Sequence, residues 1–213
     1  MSASWLRDAV FYEIYPQSFK DSNSDGIGDF NGIIEKLDYI KDMGFTAIWM
    51  NPCFASPFFD AGYDVEDFYT AAPRYGTNEE LKNLFDEVHK RNMYIILDLV
   101  PGHTSTTCKW FKESLKAEPN KYSGRYIWAD TVDPAYKNTE GVTGWLNGIS
   151  PRNEACALNY FATQPALNYG FAKISFPWQS SVDSPEAVAT RNELINIISF
   201  WLGLGCDGFR VDM

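Results

Sequence analysis

Positive charge is scarce in this sequence. Its 18 lysines and arginines stand against 28 aspartates and glutamates, a net charge of −10 over 213 residues. A chain this acidic repels phosphate backbones and anionic lipid, which argues against nucleic-acid and membrane partners. No apolar run is long enough to span a bilayer. The opening residues, Met1-Ser-Ala-Ser-Trp-Leu-Arg-Asp8, lack the apolar core of a signal peptide, which predicts a cytoplasmic protein. Cysteine is sparse: Cys53, Cys108, Cys156 and Cys206 are widely spaced and form no C-x-x-C pair. That spacing excludes a zinc motif and a disulfide scaffold, and predicts free, mostly buried thiols. Internal repeats and low-complexity segments are absent. No glycine-rich phosphate loop follows the first predicted strand, which counts against a nucleotide-binding sheet.

What is present is ordinary for a globular chain, with 45% apolar and 22% charged residues. The length suffices for one core, or one core with a small satellite. Aromatics reach 16%, suiting either sugar-stacking surfaces or a packed barrel. Short β-type runs alternate with helical patterns. Ala9 to Tyr15 predicts a first strand that Pro16 stops. Asn31 to Met43 predicts a helix through Ile33, Ile34, Leu37 and Ile40, with Gly44 as its C-cap. Thr46 to Met50 predicts a second strand. Thr77 caps a predicted helix to Arg91, with Leu81, Leu84, Phe85 and Val88 on one face. Tyr94 to Val100 is a near-continuous apolar run, as in a strand buried on both faces. Residues 104–183 show no sustained period, and a stretch that long inside a domain is usually functional. Ser184-Pro185 opens a helix to about Gly203, and Gly208 to Asp212 predicts a fourth strand.

Repeated strand–helix–strand units imply parallel strands with right-handed crossovers, in a doubly wound sheet or a (β/α)8 barrel. Polar residues gather where strands end: Asp98 and His103 after the third, Arg210 and Asp212 on the fourth. A barrel builds its active site at those ends. Arg210 and Asp212, two apart on a strand, share a face. Arginine beside a carboxylate holds it ionised, as a nucleophile requires, and a structural ion pair has the same spacing. Asp98 fits a brace for Arg210, and His103 fits a donor to a sugar hydroxyl or a loop cap. Asp21, Asn23 and Asp25, followed by Gly26, imitate the first half of an EF-hand. The twelfth position is Gly32 rather than glutamate, so the loop is not an EF-hand. A solvated acidic turn would read the same way.

Five segments in order resemble the α-amylase superfamily. Gly208-Phe-Arg-Val-Asp-Met213 resembles its nucleophile strand, and Asp98-Leu-Val-Pro-Gly-His103 its third-strand motif. Asp21 to Asp29 resembles the metal loop of its oligo-1,6-glucosidase and α-glucosidase branch. Gln164-Pro-Ala-Leu-Asn168 resembles a signature of its inserted domain, and Gly62-Tyr-Asp64 its loop at the non-reducing end of the sugar site. The resemblance implies the N-terminal part of a (β/α)8 barrel: residues 1–103 as its first half, 104–183 as the inserted domain and 184–213 as the third helix and fourth strand. It implies retaining hydrolysis of α-glucosidic bonds in oligosaccharides. Asp212 would be the nucleophile and Arg210 its orienting partner. Tyr63, Asp64, His103 and Asp98 would bind substrate, with Asp64 on the outer hydroxyls of a terminal sugar. Asp21, Asn23, Asp25, the backbone near Ile27 and Asp29 would hold a structural Ca²⁺. The family's acid/base glutamate lies after the fifth strand, so the 213 residues alone are expected to be inactive. Three positions depart from the pattern. Gly102 replaces an asparagine that helps hold calcium in the amylases, Ala166 replaces an aspartate, and Met213 follows the nucleophile. An amylase-like protein that binds or assembles without catalysis is the alternative, disfavoured because Asp98, His103, Arg210 and Asp212 are all present.

Overall fold

The computed structural model describes residues 4–131 and 142–212. Its described residues divide into two compact units: 4–55, 68–99 and 199–212 in one, and 56–67, 100–131 and 142–198 in the other.

The first unit is built on a parallel sheet of β1 (Phe11–Ile14), β2 (Ala47–Met50), β5 (Tyr94–Leu99) and β9 (Gly208–Val211), ordered β1-β2-β5-β9. Spatial order equals chain order, so each strand joins on the same side as the last. A doubly wound sheet reverses at a switch point. Four strands without reversal are the winding of a barrel's first half. Ile48, Ile95 and Leu97 are fully buried, as strands between covered faces require. Two two-residue or longer strands, β3 (Phe54–Ala55) and β4 (Asp67–Ala71), form a separate pair.

The helices follow their apolar spacing. In α4 (Asn78–Lys90), Leu81, Leu84, Phe85 and Val88 are fully buried. Thr77 accepts from the Glu80 N–H while the Glu80 side chain returns to the Thr77 N–H, a reciprocal cap. Ser184 Oγ caps α6 (Pro185–Leu204) through the Ala187 N–H, as the Ser-Pro pair predicts. Gly44, at φ +92°, takes the left-handed position after the earlier helix.

That earlier helix differs from the single helix expected over Asn31 to Met43. It is two helices, α2 (Phe30–Ile34) and α3 (Leu37–Asp42), joined where the Lys36 N–H bonds the Ile33 carbonyl at 2.9 Å in a tight turn. Gly32 weakens α2, and it is glycine because a Cβ there would collide with the Lys20 carbonyl. Pro16 also does more than end β1: it starts the short helix α1 (Pro16–Phe19).

The second unit holds α5 (Lys109–Ser114) and an antiparallel sheet of β6 (Trp128–Ala129), β7 (Gly144–Asn147) and β8 (Ala155–Leu158), ordered β6-β8-β7. These strands are two to four residues long, too short to show a period in sequence. Cys108, Phe111, Tyr126, Cys156 and Leu167 form one core cluster, and Ile127, Val142, Ala157 and Ala166 another. All four cysteines are free and buried. No described helix is long and apolar enough to cross a membrane.

Candidate active site

Strand register delivers the charged cluster of the first unit. Asp98 on β5 lies directly opposite Arg210 on β9, and the Asp212 N–H extends the ladder to the Leu99 carbonyl at 2.8 Å. One nitrogen of Arg210, Nη1, donates to Asp98 Oδ1 at 2.8 Å and to Asp212 Oδ1 at 2.6 Å. The three groups carry a net charge of −1, with the cation between the two anions. The Asp98 side chain is fully buried, whereas those of Arg210 and Asp212 are 36% and 22% exposed. Burial raises the Asp98 pKa above the usual carboxylate range, and hydrogen bonds from Arg210 and Trp49 offset only part of that rise. Asp98 is thus closed off from solvent against Arg210, and Asp212 is the more exposed of the two carboxylates. Trp49 on β2 completes the cluster. Its Nε1–H donates to Asp98 Oδ2 at 3.0 Å, and its ring lies 5.2 Å from the Arg210 guanidinium carbon. The sequence expectation did not include Trp49, although a tryptophan near the end of a short apolar strand has an N–H that must find an acceptor.

The sugar-loop residues assemble in the second unit. His103 is buried, with Nε2 3.0 Å from the Tyr63 carbonyl and Nδ1 2.9 Å from Asn159 Nδ2. Asp64 is fully buried and accepts from Ser56 Oγ at 3.1 Å and from the Phe59 and Asp60 N–H groups at 3.0 Å. It closes its own loop. Gln164 is fully buried as well, donating from Nε2 to Asp60 Oδ2 at 2.7 Å and accepting the Phe161 N–H at 3.0 Å. Asn159 and Asp60 escaped the sequence reading, since nothing in their spacing sets them apart. The Ala166 departure has a physical reason: this residue is buried among Ile127, Val142 and Ala157, where a carboxylate would be costly. Met213 lies outside the described residues.

The loop from Asp21 to Asp29 is organised by its own side chains. Asp21 accepts the N–H groups of Asn23, Ser24 and Gly26, Asn23 accepts that of Asp25, and Asp25 accepts that of Ile27. The Gly26 N–H leads the interactions that lower the Asp21 pKa. Asp29 caps α2 by accepting the Gly32 N–H at 2.7 Å, and also binds the Ser22 N–H and hydroxyl. Burial raises its pKa, but these donors outweigh burial and the net shift is downward. Gly28 is required, because a Cβ there would collide with the Pro16 carbonyl. Among the described residues, no three His, Cys, Asp or Glu side chains gather as a metal-holding group. The donors offered by residues 21–29 are nonetheless hard oxygens, the kind Ca²⁺ takes.

Residues 13–213 match the family described as alpha amylase, catalytic domain. Among curated proteins, an oligo-1,6-glucosidase from a Bacillus species is 41% identical over 99% of this chain and 39% of its own length. Maltase A1 of Drosophila melanogaster is 39% identical over 99% of this chain and 35% of its own. The trehalose synthase/amylase of Mycolicibacterium smegmatis is 38% identical over 98% and 33%. Among solved structures, the trehalulose synthase of Pseudomonas mesoacidophila superposes with a TM-score of 0.81 at 39% identity, covering all of this chain and 36% of that one. The trehalose-6-phosphate hydrolase of Bacillus licheniformis gives 0.83 at 37% identity, over 98% and 35%. The chain thus spans between 33% and 39% of the length of these curated relatives.

Proposed function

The chain belongs to the alpha amylase catalytic-domain family, and from that membership we propose that it carries the nucleophile of a retaining site for α-glucosidic bonds in short oligosaccharides. The observation supporting this reading is the single Arg210 nitrogen bridging Asp98 and Asp212. A nucleophilic carboxylate must be ionised and aimed. Arg210 supplies the aim, donating to Asp212 Oδ1 at 2.6 Å, and buried Asp98 with Trp49 fixes Arg210. In the reaction, a carboxylate oxygen of Asp212 attacks the anomeric carbon as the glycosidic oxygen leaves. The acceptor, water or a sugar hydroxyl, then gives its proton to the acid/base carboxylate and displaces Asp212 in a second inversion, so the configuration is retained overall. A second carboxyl group protonates the leaving oxygen, and the family resemblance puts that group after a fifth strand.

Tyr63 would stack under the sugar. His103 would reach a sugar hydroxyl only by sharing the N–H it gives to Tyr63, and a terminal sugar would reach Asp64 by displacing the Ser56 hydroxyl. The same proposal includes a structural Ca²⁺ held by Asp21, Asn23, Asp25, the Ile27 backbone and Asp29. Each of the side chains at 23 and 25 accepts one loop N–H, which leaves lone pairs for a cation. Residence in the cytoplasm belongs to the proposal too, supported by the four free, buried thiols.

The test of the nucleophile is a fluorinated α-glucosyl donor whose fluoride leaves without protonation. Mass spectrometry should find the glucosyl ester on Asp212, and Asp212→Asn should lower turnover on the order of 10⁴-fold or more in a form of the protein that turns over. An ester on another residue, or wild-type kcat in the variant, would end the assignment. For the cation, chelator should lower Tm and Ca²⁺ restore it, with Asp21→Ala insensitive to both. A wild-type Tm indifferent to chelator would leave the loop a solvated turn.

A further inference from the structure

We propose that Asn159 is a positioning residue that sets the protonation state and ring orientation of His103 and, through it, the placement of the Tyr63 loop. The inference rests on the reading above that this loop and His103 meet the sugar.

Tyr63 and Asn159 each limit what the His103 ring can carry. The Tyr63 carbonyl only accepts, so Nε2, 3.0 Å away, carries a proton. The Asn159 amide nitrogen only donates, so Nδ1, 2.9 Å away, carries none. Both hold together only for the neutral ring protonated at Nε2. Were the amide turned over, its oxygen would face Nδ1 and require a proton there, giving a cation.

Asn159 is held in turn. Its backbone N–H donates to the Gln164 carbonyl at 3.1 Å, the Gln164 side chain donates to Asp60 at 2.7 Å, and the Asp60 carbonyl accepts the Tyr63 N–H at 2.8 Å. The bonds close a circuit: Asn159, His103, Tyr63, Asp60, Gln164 and back to Asn159. Three separate chain segments meet in it, and His103 is nearly excluded from water, at 3% exposure. A ring that turned or took up a proton would open the circuit at Nδ1 unless the amide turned with it. An amide can present either a donor or an acceptor, whereas a carboxylate presents only acceptors. Aspartate at 159 would leave both ring nitrogens facing acceptors and force the imidazolium.

The test is long-range ¹H–¹⁵N NMR on the full chain. It has two histidines, assigned with His89→Gln. Wild-type His103 should show the neutral Nε2–H pattern at pH 7. In Asn159→Asp both nitrogens should show the protonated pattern, with the titration midpoint raised by about 1–3 units. Asn159→Leu, of similar volume, carries the test should the aspartate variant not fold: His103 stays neutral and its Nδ1 resonance moves to that of a nitrogen without a hydrogen bond. An unmoved His103 signature in either folded variant overturns the proposal. In a form that turns over, Asn159→Asp should raise KM for an aryl α-glucoside by about tenfold with a smaller change in kcat. A moved NMR signature with unmoved KM supports the positioning role and removes the sugar-contact reading, so the two fail separately.

Discussion

In the first unit Arg210 reaches Asp98 because two parallel strands hold them in register; in the second, His103 reaches Tyr63 because side chains bond to backbone across irregular loops. The first arrangement is charged, and its geometry comes from the sheet ladder. The second meets its carboxylates, Asp60 and Asp64, with neutral donors, and its geometry comes from Asp64, Gln164 and Asn159, each tying down its own stretch of chain. A strand-end cluster inherits its precision from the regular ladder of the sheet around it. A loop cluster must supply its own, which is why so many of its polar side chains are buried and satisfied.

The largest effect is expected from breaking the charged cluster. Arg210→Met removes a charged donor from the buried Asp98 and keeps the Trp49 N–H. Breaking a buried pair costs about 3–5 kcal/mol. The Arg210 side chain is 36% exposed, so water screens part of the interaction and a loss of about 2–3 kcal/mol is expected. The sign with pH follows from Asp98, whose pKa is already raised by burial. A carboxyl with a raised folded pKa contributes most below its unfolded value and loses that contribution as pH rises. Losing Arg210 enlarges the rise, so the penalty should shrink as pH falls toward 4. Chemical denaturation at pH 7 and pH 4 measures it. An equal loss at both values would show that Asp98 does not carry the effect.

The same contrast explains what was legible in the sequence. The four parallel strands and the helix capped by Thr77 were visible because apolar residues repeat with the period of the element, and Asp98, Arg210 and Asp212 lie at fixed steps on those strands. The break between α2 and α3 was not visible: Gly32 answers to the Lys20 carbonyl, a contact twelve residues away in sequence. The antiparallel sheet of the second unit was hidden by the shortness of its strands. The motif around Gln164 could be recognised as a resemblance, but its work was not readable. That work depends on Asp60, 104 residues earlier in the chain. Trp49 lies between these cases, on a legible strand but with a partner that only the neighbouring strand supplies.

A smaller effect is expected at Gln164. Gln164→Leu keeps the volume and removes two bonds, one to Asp60 and one from the Phe161 N–H. Neither Asp60 nor Phe161 is fully buried, so water can replace part of what is lost, and the expected cost is about 1–2 kcal/mol. Gln164→Glu separates the hydrogen bond from the packing. It is nearly the same shape but offers the Asp60 carboxylate another acceptor, so at pH 7 it should be worse than leucine, and acid should relieve it as one carboxyl of the pair takes a proton. A purely steric role predicts the reverse order, glutamate milder than leucine at every pH. Amide hydrogen exchange locates the damage. Residues 59–64 and 161 should exchange faster in both variants, while β5 and β9 keep their protection, because their ladder does not depend on Gln164. Faster exchange in β5 and β9 would show that the two clusters are supported together and would break the distinction drawn between them.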